Sequence, residues 1–334
     1  MARFFKRAPS REGAVERAPE KAEADPVRRP RDVKPDPDQI GIAGSVPFVR
    51  LPDPGTVFAD RARRFEALAN DHPLGDYLAF LGRIVRAQAR VVSERMTAGE
   101  GIIDLSPEDR ALRAEHGMPP LPRALVSDDP AFPRILDALL AHLDLDAAPE
   151  PARLAADALR RAGVEERLDL ATQVFEGAFP VERMAECVFV GAALQVYLSV
   201  QAARLDKSTL KPIADGVCPC CGGAPTASLV VAWTPADKAR YLSCSLCQTL
   251  WNHVRIRCTA CGSGEGIHYY GLDEVSKDAQ VETCDNCHSM LKHLHQHRDP
   301  ALDPVADDVA SYGLDLKVAE EGFRRVGLNL LFVA

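Results

Sequence analysis

Eight of the ten cysteines in this 334-residue chain fall into four C-x-x-C pairs, and thiolates in such pairs bind metal ions. The two intervening residues let the chain turn back so that both sulfurs point at one ion, and two pairs complete a tetrahedral shell. Soft thiolate ligands accept iron or zinc, so two tetrathiolate ions are the predicted cofactors. The predicted ligands are Cys218, Cys221, Cys244 and Cys247 in a first set, and Cys258, Cys261, Cys284 and Cys287 in a second.

The two cysteine sets are copies of one unit, because a shift of 40 residues carries each cysteine of the first set onto one of the second. Gly222 and Gly262 follow the first pair of each copy and permit a tight turn with positive φ, in which backbone N–H groups face the sulfurs. The alternatives are disulfides or unrelated buried cysteines. Burial alone would not repeat at a fixed interval, so we expect metal binding, with each ion held within one copy because that closes the shorter loops.

Two cysteines remain outside this scheme. Cys220 is a third thiol within the first pair, and a tetrahedral ion accepts only four thiolates. The spacing of the second copy indicates that Cys218 and Cys221 are the ligands and that Cys220 is free. Cys187 lies in an apolar segment and is predicted to be a small packing residue.

The remaining composition excludes several classes of protein. The formal charge of -8 argues against bulk affinity for nucleic acid. No apolar run reaches the roughly 18 residues that a membrane span requires, and the basic N-terminus has no apolar region typical of a secretory signal. Cysteines grouped as C-x-x-C fit a reducing cytoplasm. The chain has no glycine-rich phosphate loop, no G-x-S-x-G and no H-E-x-x-H, so we expect no enzymatic activity.

The predicted fold is an all-α N-terminal domain followed by two tandem rubredoxin-like or zinc-ribbon modules and a C-terminal helix. Helical periodicity is clear from Leu74 to Val85. The most apolar helix is predicted over residues 184–204, and its apolar run from Cys187 to Val200, interrupted by Gln195, suits a buried central position. The predicted boundaries are a disordered tail at 1–40, the helical domain at 41–212, the first module at 213–257, the second module at 258–292, and a C-terminal linker and helix at 293–334.

Strands are expected only within the cysteine modules. Residues 229–233 and 239–242 form a predicted hairpin in the first module, and residues 268–270 and 279–282 occupy the corresponding places in the second. The final helix is predicted over residues 305–325.

Three histidines are weaker metal-site candidates. His293, His295 and His297 alternate along a short segment and could bind a metal, although we favour a solvated polar tail. His253 and His288 lie near cysteine pairs and either donate hydrogen bonds to the ligands or occupy ordinary surface positions.

Seven segments, spread in order from residue 47 to the end, resemble the formate dehydrogenase accessory protein family (FdhE type). The four C-x-x-C pairs together with Trp251 and Arg255 are the most specific part of this resemblance. The sequence departs from the family pattern at Cys220, Met290 and Leu330. The segments are residues 48–54, 72–78, 218–222, 241–247, 251–262, 282–288 and 306–309.

The resemblance implies a cytoplasmic maturation factor that binds the catalytic subunit of respiratory formate dehydrogenase and is needed for its activity, with no small-molecule substrate. It also implies rubredoxin-like cysteine sites that can carry iron. Trp251 packs between the two modules or, if exposed, anchors the partner, and Arg255 is a further candidate partner contact. The alternatives are a nucleic-acid-binding zinc ribbon and an electron carrier. Residues 258–292 carry two lysines against six acids, which disfavours the first alternative.

Overall fold

The structure is a computed structural model that describes residues 5–7, 46–98, 106–272 and 276–332. The helical domain occupies the N-terminal part of these ranges, as predicted. The predicted disordered tail at 1–40 lies outside the described residues apart from residues 5–7. The helices are α1 (Pro54–Ala69), α2 (Gly75–Ala98), α3 (Pro107–Glu115), α4 (Ala124–Asp128), α5 (Ala131–His142), α6 (Glu150–Arg161), α7 (Val164–Phe175) and α8 (Met184–Ala203).

The most apolar helix, α8, lies at the centre of the helical domain. It packs against α2, α5, α6 and α7, and the predicted amphipathic stripe of α2 is fully buried at Leu78, Leu81 and Ile84. Within the described residues, one helical stretch, Val181–Ala203, is long and apolar enough to cross a membrane. In its most apolar 18 residues, 72% lie buried inside the protein. The prediction of a buried central helix is confirmed.

Both cysteine modules belong to one mixed sheet. The strand order is β1-β6-β7-β8-β3-β4-β5-β2, and β9 pairs with β8. The strands are β1 (Phe5–Arg7), β2 (Val49–Arg50), β3 (Pro225–Val230), β4 (Arg240–Cys244), β5 (Leu250–Asn252), β6 (Ile267–Leu272), β7 (Ser276–Cys284), β8 (Ser289–Leu294) and β9 (Arg324–Arg325).

The two modules meet where β3 of the first pairs in parallel with β8 of the second, with Ser228 opposite His293. The predicted hairpins are present as β3–β4 and β6–β7, both antiparallel. Strands β6 and β7 extend beyond the predicted residues, whereas β3 begins before the predicted residues 229–233 and ends at Val230, so residues 231–233 are not part of a strand. Strand β2, which precedes α1, was not predicted and pairs antiparallel with β5, placing Val49 opposite Trp251. A two-residue strand is too short to leave an alternating pattern in the sequence.

The C-terminal segment corrects the prediction of one helix over residues 305–325. The chain forms two short helices, α9 (Ala306–Ala310) and α10 (Tyr312–Glu320), and Gly322 then adopts a φ of 89° before the chain enters β9. Only glycine adopts this backbone conformation without strain, so the helix ends there.

One large apolar core joins the helical domain to the first cysteine module. It contains side chains of α1, α2 and α5–α8 together with Leu242, Leu246 and Trp251 of the module and Val309 and Leu330 of the C-terminal segment. The second module forms two smaller apolar clusters, one of which it shares with α10 and Phe323 of the C-terminal segment. The two modules therefore share a sheet but differ in how deeply they are embedded.

Candidate metal centres

The structure brings the first four cysteines together in a buried site. Cys218 Sγ lies 3.5 Å from Cys247 Sγ, Cys221 Sγ lies 3.4 Å from Cys244 Sγ, and all four sulfurs are within 4.8 Å of one another. All four residues are buried. Burial raises the pKa of the Cys218 thiol well above its ordinary value, so four thiolates at this position require a positive ion between them.

Side chains of the helical domain form hydrogen bonds that support the first site. Gln195, the one polar residue of the central helix that was noted in the sequence, donates its side-chain N–H to the Ser245 carbonyl at 2.9 Å. Gln88 in turn donates to Gln195 Oε1 at 3.0 Å. Arg61 of α1 donates from Nη2 to Gln248 Oε1 at 2.8 Å. These three side chains fix the turn that carries the second cysteine pair, because each contact satisfies a buried polar group.

The second four cysteines form an equivalent site at the surface. Cys258 Sγ lies 3.6 Å from Cys287 Sγ, and Cys261 Sγ lies 3.7 Å from Cys284 Sγ. Cys258 and Cys284 are buried, whereas Cys261 and Cys287 are exposed. The Asn286 amide donates to Cys261 Sγ at 3.4 Å and is the main cause that lowers the pKa of this thiol to about 6.

Sulfur separations at both sites fit a tetrahedral ion. Metal–sulfur bonds of about 2.3 Å place the sulfurs of a tetrahedron about 3.8 Å apart, whereas a disulfide bond measures about 2.05 Å. The short pairs at 3.4–3.7 Å match the first geometry and exclude the second. Each site groups cysteines of one repeat unit, in the arrangement expected of zinc-ribbon modules.

Each cysteine pair is followed by a residue with positive φ. Gly222 and Gly262 adopt φ values of 76° and 72°, which confirms the prediction from the sequence. Gln248 and His288 take the same conformation, at 62° and 54°, after the second pair of each unit. Sequence reasoning missed these two because neither residue type signals a left-handed turn. The 40-residue shift that relates Gly222 to Gly262 also relates Gln248 to His288, and that relation was available in the sequence.

Hydrogen bonds to sulfur also repeat between the units. Cys247 Sγ lies 3.2 Å from Thr249 Oγ1, and Cys287 Sγ lies 3.1 Å from Ser289 Oγ. Backbone N–H groups face the sulfurs as predicted, with Cys247 N donating to Cys244 Sγ at 3.4 Å. Hydroxyl and amide donors of this kind stabilise thiolate ligands.

Cys220 lies beside the first site but outside its group of four sulfurs. It is fully buried, and its carbonyl accepts the Leu121 N–H at 2.9 Å, so the helical domain also contacts this turn. Cys187 is fully buried in the core, as expected of a packing residue.

The buried side chain of Arg240 in the first module forms hydrogen bonds with residues of the second module. Its guanidinium, which is 1% exposed, donates to Glu282 Oε1 at 2.8 Å, to Thr259 Oγ1 at 3.1 Å and to Ser228 Oγ at 3.1 Å. It also donates to the carbonyls of Val254, Arg255 and Arg257 at 3.1–3.4 Å. A single buried cation therefore fixes the backbone of residues 254–257, which we call the intermodule loop.

The intermodule loop presents its side chains to solvent. Val254 and Ile256 are 59% and 63% exposed, and Arg255, a predicted partner contact, is exposed between them. Trp251, the other predicted partner contact, is 3% exposed. Its indole packs into the core shared with the helical domain rather than between the modules, so it offers no surface to a partner.

The prediction of a solvated tail at the three histidines is wrong. His293 lies in β8 and its Nδ1 is 2.7 Å from Ser228 Oγ, while His295 contacts Gln280 Oε1 at 2.9 Å. Both are buried, and the three rings stack edge-on at 5.0 and 5.4 Å. Among the described residues, only the two cysteine sets bring three or more potential ligand atoms within 4.8 Å of one another, so the histidines do not form such a group.

His253 and His288 do not direct their rings at the sulfurs. The His253 ring contacts the Arg257 carbonyl at 3.2 Å, and burial lowers the pKa of His253 to about 4. The His288 ring packs against Phe323, and its backbone N–H donates to the Cys284 carbonyl at 2.9 Å.

Comparison with known proteins identifies the FdhE family over residues 46–332. The models of the FdhE N-terminal, central and C-terminal domains match residues 46–215, 217–255 and 256–332. An FdhE homolog of Rhizobium meliloti is 41% identical over 300 residues, covering 89% of this chain and 96% of the relative. The FdhE protein of Escherichia coli is 32% identical over 299 residues, covering 87% and 94%. The crystal structure of FdhE from Pseudomonas aeruginosa superposes with a TM-score of 0.76 at 34% identity, covering 86% of this chain and 99% of that one.

Proposed function

Because this chain belongs to the FdhE family, we propose that it is an accessory factor for respiratory formate dehydrogenase. In this proposal it binds the immature catalytic subunit in the cytoplasm, is required for that subunit to become active, and turns over no small molecule. The family resemblance supplies the partner, and the two four-cysteine sites supply the physical argument.

The observation that carries the proposal is that both sites offer four protein thiolates to one ion. A tetrahedral ion with four protein ligands has no open position for a substrate or an activated water, which catalytic metal sites require. A closed shell instead holds several chain segments in a fixed arrangement. The sites are therefore suited to presenting a binding surface.

Iron or zinc fits these donors, because both accept tetrathiolate coordination. Cys218, Cys221, Cys244 and Cys247 would hold one ion and Cys258, Cys261, Cys284 and Cys287 the other. Zinc would supply structural cross-linking, and iron would add a reversible one-electron couple. The protein contributes the turns, the hydroxyl and amide donors to sulfur, and the burial of the first site.

The intermodule loop is the surface that we assign to partner contact at this end of the molecule. Val254, Arg255 and Ile256 project from a backbone that Arg240 holds rigidly, so little conformational entropy is lost when a partner covers them. Arginine is enriched at interfaces, and the two exposed apolar side chains beside it would lose contact with water when a partner covers them.

A second candidate function is electron transfer at the second site. Cys261 and Cys287 are exposed, so an iron ion there would lie close to a docked redox partner. The large helical domain is not needed for a small carrier, and we therefore rank this function second. A nucleic-acid-binding role is disfavoured further, since Lys292, one of the two lysines of the second module, is buried in an ion pair with Asp315.

The proposal is tested by deleting the gene for this protein and assaying respiratory formate oxidation together with the amount of catalytic subunit. We expect activity to fall while the subunit is still made. Wild-type protein should restore activity, whereas the Cys258→Ser/Cys261→Ser variant should not. Full formate dehydrogenase activity in the deletion strain contradicts the accessory role.

The loop assignment is tested separately by co-purification with the catalytic subunit. Arg255→Glu should reduce recovery of the subunit, because it places a negative charge at the centre of the loop. Arg86→Glu on α2, also an exposed arginine, is the matched control and should leave recovery unchanged. Equal recovery for both variants contradicts the assignment of the loop.

A further inference from the structure

A cavity of about 540 Å³ lies at the joint between the helical domain and the sheet. One wall is α1, the floor includes Leu229 and Leu250 of the sheet, and residues 296–304 close the opposite side. Its volume falls within the roughly 300–1,000 Å³ typical of ligand sites. Two of the segments that carry the family resemblance, residues 48–54 and 306–309, contribute to this cavity or lie directly beside it.

Four arginines and three aspartates line the cavity, and all three aspartates are already engaged. Asp53 accepts the Gly55 N–H and so caps α1, while Asp60 pairs with Arg63. Asp303 accepts a hydrogen bond from Nε of Arg61 at 3.0 Å. It also accepts hydrogen bonds from the backbone N–H groups of Val305 and Ala306. The negative charges of the cavity are therefore satisfied by groups within the protein.

Two of the arginines keep unused capacity for a negative ligand. Arg61 is 1% exposed, and its Nη1 has no hydrogen-bond partner although the atom is buried. Among the described residues Arg50 has no carboxylate partner, and its guanidinium stacks on the Trp233 ring at 4.9 Å. Arg64, in contrast, is held by both oxygens of Asp307 at 2.6 and 2.9 Å. A buried donor without an acceptor is costly, so Nη1 of Arg61 indicates that an acceptor binds in the cavity.

We propose that this cavity binds a carboxylate, and that the occupant is an acidic side chain of the partner polypeptide flanked by apolar residues. A planar guanidinium edge matches a carboxylate, and a singly charged group tolerates the three nearby aspartates better than a doubly charged phosphate does. Leu229, Leu250 and Leu302 line the same space and suit apolar neighbours of the acidic residue. The identification of a partner polypeptide as the source of the carboxylate rests on the proposed function. The preference for a carboxylate rests only on the residues that line the cavity.

The cavity is connected to the first cysteine site through one side chain. Gln248, which directly follows Cys247, accepts from Nη2 of Arg61 at 2.8 Å. Its own amide N–H groups donate to the carbonyls of Ser245 and Leu246 at 3.3 and 3.0 Å. An ion in the first site holds this turn in shape, so metal binding orients the arginine that receives the carboxylate.

The test uses the full-length metal-loaded protein and two peptides, Ac-Leu-Glu-Leu-NH₂ and its uncharged analogue Ac-Leu-Gln-Leu-NH₂. Binding is followed by tryptophan fluorescence at constant ionic strength, because a ligand on Arg50 changes the environment of the Trp233 ring. The glutamate peptide should bind at least about tenfold more tightly, the factor that a charged hydrogen bond typically supplies. Equal binding of the two peptides overturns the proposal, as does a phosphate response as strong as that of the glutamate peptide.

Three variants locate the binding. Arg50→Ala should weaken binding of the glutamate peptide about tenfold. Gln248→Gly should also weaken it while the protein keeps two metals, since glycine adopts the positive φ of this position without strain. Arg86→Ala, at an exposed arginine of α2 that does not line the cavity, should bind as the wild type does. Wild-type affinity in both Arg50→Ala and Gln248→Gly overturns the assignment of the cavity.

Two further results separate the source of the carboxylate from its chemistry. Formate that binds as tightly as the glutamate peptide overturns the partner side chain as occupant and leaves a free small anion. Full formate dehydrogenase activity in a deletion strain that carries Arg50→Ala overturns the link to the partner, even if the glutamate peptide binds. The second result applies only where the deletion strain without the protein has lost activity, so a failure of the accessory role is recognised separately, from the deletion strain alone.

Discussion

The two cysteine sites have the same arrangement of four sulfurs, but they differ in how deeply they are buried. All four cysteines of the first site are buried, and Gln195 and Arg61 of the helical domain hold its second turn. The second site leaves Cys261 and Cys287 exposed and is supported by its own module. Of the two repeated sites, the first therefore connects the helical domain to the sheet, and the second is accessible to a partner or a solute.

The largest expected effect distinguishes the sites by stability. Structural tetrathiolate sites contribute on the order of 10 kcal/mol to folding, which is comparable to the whole stability of a domain. Cys244→Ser should abolish the cooperative unfolding transition of the helical domain, because the first module shares its core. Cys284→Ser, the equivalent change in the second module, should leave that transition in place.

Helical circular dichroism during thermal unfolding, with metal content measured for each variant, checks this difference. Both variants lose one thiolate from a buried position, so they are matched in chemistry. Identical unfolding curves for Cys244→Ser and Cys284→Ser contradict the view that only the first site belongs to the helical core.

A smaller effect tests the connection between the modules. Arg240→Met removes the cation that pairs with Glu282 in the described part of the chain. Leaving one member of a buried ion pair without its partner costs about 3–5 kcal/mol. Arg257→Met in the same loop breaks an exposed ion pair with Asp215 and should cost less than about 1 kcal/mol. Denaturant unfolding of both variants measures the difference. Equal losses of stability argue against Arg240 as the connection.

The exposed site should also differ in thiol reactivity once metal is removed. Asn286 lowers the pKa of Cys261 to about 6, so this thiol is ionised at pH 7 and reacts with iodoacetamide ahead of the buried Cys258. Because the thiolate is the nucleophile, the rate at Cys261 should fall as the pH drops through about 6. Peptide mapping by mass spectrometry identifies the order. Preferential alkylation of Cys258 contradicts the expected accessibility.

The smallest effect is expected at Cys220. A tetrahedral ion accepts four thiolates, and Cys220 lies outside the group of four, so Cys220→Ser should leave two metals per chain. Metal analysis of the purified variant decides this point. A decrease to one metal per chain would show that Cys220 is a ligand and that Cys218 or Cys221 is not.

The parts of the fold that were predictable are those that local spacing determines. The 40-residue period predicted which cysteines group together, and the buried stripe of α2 followed from its periodicity. The apolar run near Gln195 predicted a central helix. The reason for that glutamine could not be predicted, because its acceptor, the Ser245 carbonyl, lies far away in the sequence.

The parts that could not be predicted depend on contacts between distant segments. The parallel pairing of β3 with β8 joins two modules that looked separate, and it places His293 beside Ser228 inside the protein rather than in a tail. The six hydrogen bonds of Arg240 likewise come from residues that no local pattern connects. The Trp251 indole is buried because the helical domain covers the first module, and no signal in the module itself indicates that cover.

The most direct test of the account is release of metal from protein purified without oxygen, followed with a coloured chelator and compared with total metal. Two metals per chain should leave in two phases of equal amplitude, a fast one from the exposed site and a slow one from the buried site. Cys284→Ser should remove the fast phase and keep the slow one. A single phase for both metals, or a slow phase that disappears in Cys284→Ser, would contradict the assignment of different roles to the two sites.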